Sequence, residues 1–222
     1  MAPQLDLFAS QPPHASAAEA LQPQRVRREG LALRYWRHWL ADADSTAAQL
    51  LATVPWKQEQ ITLWGKTHPI PRLTCWMGDP GCHYTYSGVR NGIEPWTPLV
   101  QSLRQQVEQA AGCRFNSLLL NHYRDGRDKL DWHADDEPEL DAEQPIASLS
   151  LGAARSFRLK ARTSGAGSAE TIQFELGDGD LLVMDPPTQQ HWLHQVPQRL
   201  RVKQSRINLT FRVIRPEAIR HV

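Results

Sequence analysis

Cysteine is scarce in this 222-residue chain: Cys75, Cys82 and Cys113 are odd in number and form no CxxC pair, so neither a disulfide framework nor a thiolate zinc site is indicated. Reduced, mostly buried thiols are expected. Long apolar runs are missing too. No stretch approaches the roughly 18 apolar residues of a membrane span, and no basic region followed by an apolar run stands at the amino terminus. No membrane contact is expected, and a cytoplasmic protein is. Excess charge is also absent, and the formal net charge of +1 does not describe a globally basic nucleic-acid binder. Contact with nucleic acid would have to come from local patches such as Arg158, Lys160 and Arg162, which alternate along one strand face and, taken alone, read as a solvated surface. No long heptad pattern suggests assembly, so a monomer is expected. HExxH and Ser-His-Asp or Cys-His nucleophile arrangements are lacking as well.

What is present is ordinary globular composition, 41% hydrophobic and 22% charged, in a length that suits one domain and a tail. Residues 1–24, rich in Pro, Gln, Ala and Ser, read as a disordered tail. Within it, Gln4-Leu5-Asp6-Leu7-Phe8 resembles the QLxLF-type peptide that docks on the bacterial sliding clamp. A helix is expected around residues 45–51 with Ser45 as its cap. A second is expected after Thr97, with Pro98 in its first turn, Leu99, Val100, Leu103, Val107, Ala110 and Ala111 on one stripe, and Gly112 as its stop. From residue 116 onward short β-branched or aromatic runs follow one another (117–123, 147–152, 156–162, 171–176, 180–185 and 206–214), with earlier ones at 58–64 and 72–77. The turn Gly177-Asp178-Gly179 joins two of them. Many short strands behind two helices give a mainly β, α+β fold, a helix-buttressed sandwich or jelly roll.

His133 and Asp135, two residues apart, would point the same way from an extended chain and could grip one ion. Either histidine of Gln190-His191-Trp192-Leu193-His194 could complete a set of two imidazoles and one carboxylate. Such a set leaves positions open for oxygen and a co-substrate and suits non-haem iron(II), with zinc a physical alternative. In Arg206-Ile207-Asn208-Leu209-Thr210-Phe211-Arg212-Val213 the apolar residues alternate with Arg206, Asn208, Thr210 and Arg212, which would share an inner face. Two arginines inside a β fold call for anions. A small dicarboxylate is one answer, and structural pairing with Asp180 or Asp185 is the other.

Taken in order, Asn121-x-Tyr123, His133-x-Asp135, a distal His194 and the Arg206 to Arg212 run resemble the AlkB family of dealkylating dioxygenases over roughly residues 58–214. Asp131-Trp132-His133-Ala134-Asp135-Asp136-Glu137 looks closer to the animal nuclear homologues than to the shorter bacterial prototype. The resemblance implies a double-stranded β-helix within a dioxygenase domain spanning residues 25–222. It implies iron(II) held by His133, Asp135 and His194, with 2-oxoglutarate and O2 as co-substrates. Arg206 would hold the distal carboxylate of 2-oxoglutarate and Arg212 would lie near the carboxylate beside its keto group, with Asn121, Tyr123, Asn208 and Thr210 lining the same site. Trp64, Gly65 and Lys66, with Tyr84, Thr85 and Tyr86, match segments that cover the flipped base, Tyr86 being the leading stacking residue. Asp136 or Glu137 would accept a hydrogen bond from the base's exocyclic amine. The implied reaction is oxidative demethylation of 1-methyladenine or 3-methylcytosine in alkylated DNA, releasing formaldehyde and succinate. The alternatives are the same chemistry on RNA, protein or a small molecule, or a non-catalytic jelly-roll binding module.

Overall fold

A computed structural model describes residues 5–6, 22–63, 65–82, 84–86, 89–91, 93–162 and 171–215, those at 5–6, 62–63, 84–86 and 89–91 by their backbone only. The chain opens with strands β1 (Leu5–Asp6), β2 (Gln24–Arg28) and β3 (Leu31–Trp36), helix α1 (Ala43–Thr53), and strands β4 (Gln60–Leu63), β5 (Lys66–Pro69), β6 (Leu73–Gly78), β7 (Tyr84–Tyr86) and β8 (Val89–Asn91). Helix α2 (Pro98–Ala111) leads into β9 (Ser117–Tyr123), β10 (Leu130–His133), β11 (Ile146–Gly152), β12 (Arg155–Ala161), β13 (Thr171–Leu176) and β14 (Asp180–Asp185). The short helix α3 (Thr188–His191) and strands β15 (Trp192–Val196) and β16 (Arg206–Arg212) complete it.

From β9 to β16 the strands interleave between two sheets. The larger runs β2-β3-β14-β11-β16-β9-β6, the smaller β1-β13-β12-β15-β10, and β4/β5 and β7/β8 form separate hairpins. Among the described residues every pairing of two strands is antiparallel except that of β1 with β13, in which Leu5 lies beside Ile172. This interleaving of four strands from each sheet is the expected jelly roll. Gly177-Asp178-Gly179 therefore makes no hairpin: β13 and β14 lie in different sheets, and the turn carries the chain across between them.

Alternation in the central strands divides the core in two. Leu118, Leu120, Leu149, Leu181, Ile207, Leu209 and Phe211 leave the outer face of the large sheet to meet Leu50 of α1 and Val100, Leu103 and Val107 of α2. Phe157, Leu159, Ile172, Phe174, Leu182, Met184, Trp192 and Val196 fill the space between the sheets. Each such side chain contributes about 1.5–3 kcal/mol by leaving water. α2 is capped as its sequence suggests: Val100 N–H donates to Thr97 Oγ1 at 3.3 Å, and Gly112 adopts φ 70° at the carboxyl end. α1 is not. It starts two residues before Ser45, whose hydroxyl donates back to the Asp42 carbonyl at 3.0 Å, and Asp42 occupies the cap position without a side-chain bond. Strands β2 and β3 widen the large sheet beyond the expected set. Gly30 lies in the tight β2–β3 link at φ 65°, where a Cβ would stand 2.6 Å from the His191 Cβ.

Candidate active site

β10 ends at His133, and its pairing with β15 sets His133 directly opposite His194. The two imidazoles stand with centroids 4.1 Å apart, and Asp135 closes the triangle: Oδ1 lies 3.9 Å from His133 Nε2 and Oδ2 3.9 Å from His194 Nε2. One donor atom from each lies within 4.8 Å of the others. Donors about 2.1 Å from a shared ion stand up to about 4 Å apart, so the two 3.9 Å separations fit a first-row metal. The hydrogen bonding fits as well. His133 Nδ1 meets the Asp131 carbonyl at 2.8 Å, which turns Nε2 toward the shared point.

Electrostatics favour the ligating protonation states. Burial, and then the neighbouring His133, pull the His194 imidazole down to about 3, so it is neutral at physiological pH. For Asp135, burial pushes the carboxyl up, but Arg212 and the two imidazoles outweigh it and hold it below the usual range. Arg212 Nη2 donates directly to Asp135 Oδ1. His191 is set apart, at the exposed end of α3.

Every residue of β16 is buried, and Arg206, Asn208, Thr210 and Arg212 line the pocket between the sheets together with Asn121, Tyr123, His133, Asp135 and His194. Arg206 is 2% exposed and donates from Nη2 to Ser150 Oγ at 2.8 Å; its Nε and Nη1 meet no acceptor among the described residues. Burial draws its guanidinium down to about 10, with the Tyr123 phenol opposing. Structural pairing with the two aspartates is not what these arginines do. Asp180 accepts from Tyr35 Oη at 2.5 Å and from two backbone N–H groups, and Asp185 pairs with Arg34. A buried guanidinium with unmet donors is suited to a carboxylate such as the distal group of 2-oxoglutarate. Asn208 donates to Ser148 Oγ at 2.7 Å and accepts from Thr210 Oγ1 at 2.8 Å, which fixes both beside the pocket.

The expected base-contacting residues are less fully placed. Trp64 lies outside the described residues, and Tyr84, Thr85 and Tyr86 are described as strand β7 only by their backbone. Gly65, at φ 74° in the β4–β5 turn, and Lys66 are exposed. Glu137 lines the pocket, whereas Asp136 reaches outward to Arg162 Nη2 at 2.6 Å. Of the outer-face cations, Lys160 stacks over Trp132 at 4.5 Å. Two site residues escape sequence reading. Arg72, buried beside the pocket, donates from Nε to Asn121 Oδ1 at 2.7 Å, and Gln189 accepts from the Asp135 N–H. Only β9–β6 pairing brings Arg72 near Asn121, and no local pattern announces it.

Residues 32–212 match the 2OG-Fe(II) oxygenase superfamily. The mouse "Alpha-ketoglutarate-dependent dioxygenase alkB homolog 3" is 40% identical over 184 residues, covering 80% of this chain and 64% of that protein. The mouse "DNA oxidative demethylase ALKBH2" is 38% identical over 201 residues, covering 87% of this chain and 84% of that protein. The chain thus spans under two thirds of the first relative and most of the second. The solved structure of OsALKBH1 superposes with a TM-score of 0.59 at 17% identity, over 85% of this chain and all of that one, a likeness of fold. With a jelly roll that closes on two imidazoles, a carboxylate and buried arginines, the chain belongs to the 2OG-Fe(II) oxygenase superfamily and, within it, to the AlkB family of iron(II)- and 2-oxoglutarate-dependent dioxygenases.

Proposed function

We propose that the protein oxidatively dealkylates N-alkylated bases in DNA, 1-methyladenine and 3-methylcytosine among them. The observation that carries the proposal is the joining, in one buried pocket, of His133, Asp135 and His194 with Arg206, whose Nε and Nη1 meet no acceptor among the described residues. His133, Asp135 and His194 hold iron(II); Arg206 takes the distal carboxylate of 2-oxoglutarate, and Asn121, Tyr123, Asn208 and Thr210 line its bed. Arg212, already bonded to Asp135, stabilises that carboxylate as an anion and adds positive charge to the pocket. Iron(II) held there would supply O2 activation, so that the N-alkyl carbon could be hydroxylated as 2-oxoglutarate is converted to succinate and carbon dioxide. The hydroxymethyl group so formed departs as formaldehyde, returning the ring nitrogen to its unmodified state. Phe157, Leu130 and Val196 wall the pocket with apolar surface and exclude water. Glu137 offers a carboxylate to the exocyclic amine, and Tyr86, whose side chain lies outside what the structure describes, is proposed as the residue that stacks on a cationic base. Base extrusion costs a few kcal/mol and is easiest for damaged or single-stranded targets.

The names of the two curated relatives support this reading, one being a DNA oxidative demethylase. Three free cysteines fit a reducing cytoplasm, and among the described residues no helix is long and apolar enough to cross a membrane. For the amino-terminal Gln4–Phe8, a docking contact with a bacterial sliding clamp is proposed. Gln4, Leu7 and Phe8 lie outside the described residues, and the Leu7→Ala, Phe8→Ala variant should lose clamp binding. The main test is repair of matched oligonucleotides, one DNA and one RNA, each carrying a single 1-methyladenine or 3-methylcytosine, read by mass spectrometry with and without 2-oxoglutarate. Co-substrate-dependent loss of the methyl group from DNA is expected. Turnover of 2-oxoglutarate with neither base repaired would overturn the substrate assignment.

A further inference from the structure

Asp135 differs from the other two ligands in its backbone support. His133 and His194 sit on paired strands, but β10 has ended before Asp135, so no strand ladder fixes this residue. Its side chain is 3% exposed and bonded to Arg212, while its backbone N–H donates to Gln189 Oε1 at 3.0 Å. Gln189 belongs to α3, which runs directly into β15 and His194. α3 is itself tied to β3, where Thr188 Oγ1 accepts from Ala32 N–H at 3.0 Å and donates to the Ala32 carbonyl at 3.1 Å. The amide of Gln189 has one sensible orientation, because exchanging its ends would set an NH2 group against the Asp135 N–H, donor facing donor. Its Nε2 lies 3.3 Å from Met184 Sδ, a weak acceptor, in agreement with that orientation.

We infer that Gln189 is a positioning residue for the metal centre: its amide oxygen holds the backbone of Asp135 in register with the His133–His194 pair. The inference rests on the assignment of His133, Asp135 and His194 as the metal site. Gln189 also borders a cavity of about 180 Å³ on the side of Asp135, so a shorter or apolar side chain there does not force the core apart. Partners outside the ligand shell commonly govern metal affinity by 10–100-fold.

The test is titration of Co(II) into the full, metal-free chain, followed by visible absorption, for the parent, Gln189→Leu and Gln189→Glu. Thermal midpoints are measured without metal. Leu removes the acceptor and Glu keeps an oxygen in its place. Leu is expected to weaken Co(II) binding at least tenfold and Glu to restore it to within about threefold, with metal-free midpoints that do not track affinity. Should Gln189→Leu fail to fold, Gln189→Ala is read in the same way. Parent-like affinity in the Leu or Ala variant would overturn the inference, as would equal weakening by Leu and Glu. A parent that takes up no Co(II) would instead overturn the metal-site assignment on which it rests.

Discussion

Arg206→Met should make the protein more stable and unable to hold its co-substrate. The Arg206 guanidinium is 2% exposed, and only Nη2 has an acceptor among the described residues. Burial draws its pKa from 12.5 to about 10. At 1.36 kcal/mol per pH unit this is a penalty of about 3 kcal/mol on the folded, charged state. The sign follows from linkage: the folded value lies below the unfolded one, so the penalty is complete at every pH below about 10 and is relieved only above it. Met fills much of the volume without the charge. It forfeits the bond to Ser150, worth about 1 kcal/mol. A net gain of about 1–2 kcal/mol is therefore expected in the absence of ligand, or roughly 2–8 °C in Tm for a domain of this size. The opposite holds for ligand binding. Removing one partner of a buried guanidinium–carboxylate pair costs about 3–4 kcal/mol, on the order of 10²–10³ in the KM for 2-oxoglutarate. Scanning calorimetry with Mn(II), with and without 2-oxoglutarate, reads both effects. The parent should gain about 2.7 kcal/mol at a hundredfold excess over Kd, and the variant should gain nothing measurable. A variant less stable than the parent without ligand, yet still stabilised by 2-oxoglutarate, would refute the reasoning.

Asp128→Asn removes the partner of Arg124, which reaches the carboxylate with Nε and Nη2, both at 2.8 Å, and with its backbone N–H. Burial raises the Asp128 carboxyl but Arg124 more than offsets it, leaving the folded value depressed. Its stabilisation is thus complete above the ordinary carboxylate value of ~4 and is lost as pH falls through the folded value. In urea denaturation the variant should be weaker by about 1–3 kcal/mol at pH 7, with the gap closing toward pH 2; an unchanged gap would count against the assignment. Gly126→Ala places a Cβ 1.8 Å from the Arg199 carbonyl oxygen and 2.9 Å from that of Val202. A loss of about 2–4 kcal/mol is expected by the same measurement, since neither contact is a flexible side-chain end. Thr97→Ala deletes the cap of α2 and should cost about 1 kcal/mol, with little effect on KM for 2-oxoglutarate.

Sequence legibility followed local periodicity. In β16 a period of two separates Ile207, Leu209 and Phe211 from Arg206, Asn208, Thr210 and Arg212, and the structure keeps that separation across the sheet. α2 was readable from Thr97, Pro98 and Gly112 because capping chemistry is local. The choice of His194 over His191 came from the family resemblance alone; the structure adds that Trp192, His194 and Val196 alternate inward along β15 while His191 is exposed. β2 was not readable, since Gln24-Arg25-Val26-Arg27-Arg28 offers one buried residue and owes its strand to β3 beside it. Arg72 and Gln189 were equally hidden. Each acts on a residue more than 45 positions away, so only tertiary pairing reveals the role.

The most direct measurement is the stoichiometry of turnover on a single-stranded DNA oligonucleotide bearing one 1-methyladenine, with iron(II), 2-oxoglutarate and O2, for the parent, His133→Ala and Asp135→Ala. Succinate, formaldehyde and repaired adenine should appear in equal amounts with the parent, and none of the three above background with either variant. Repair that persists without His133 or Asp135 would contradict the assignment of the metal centre.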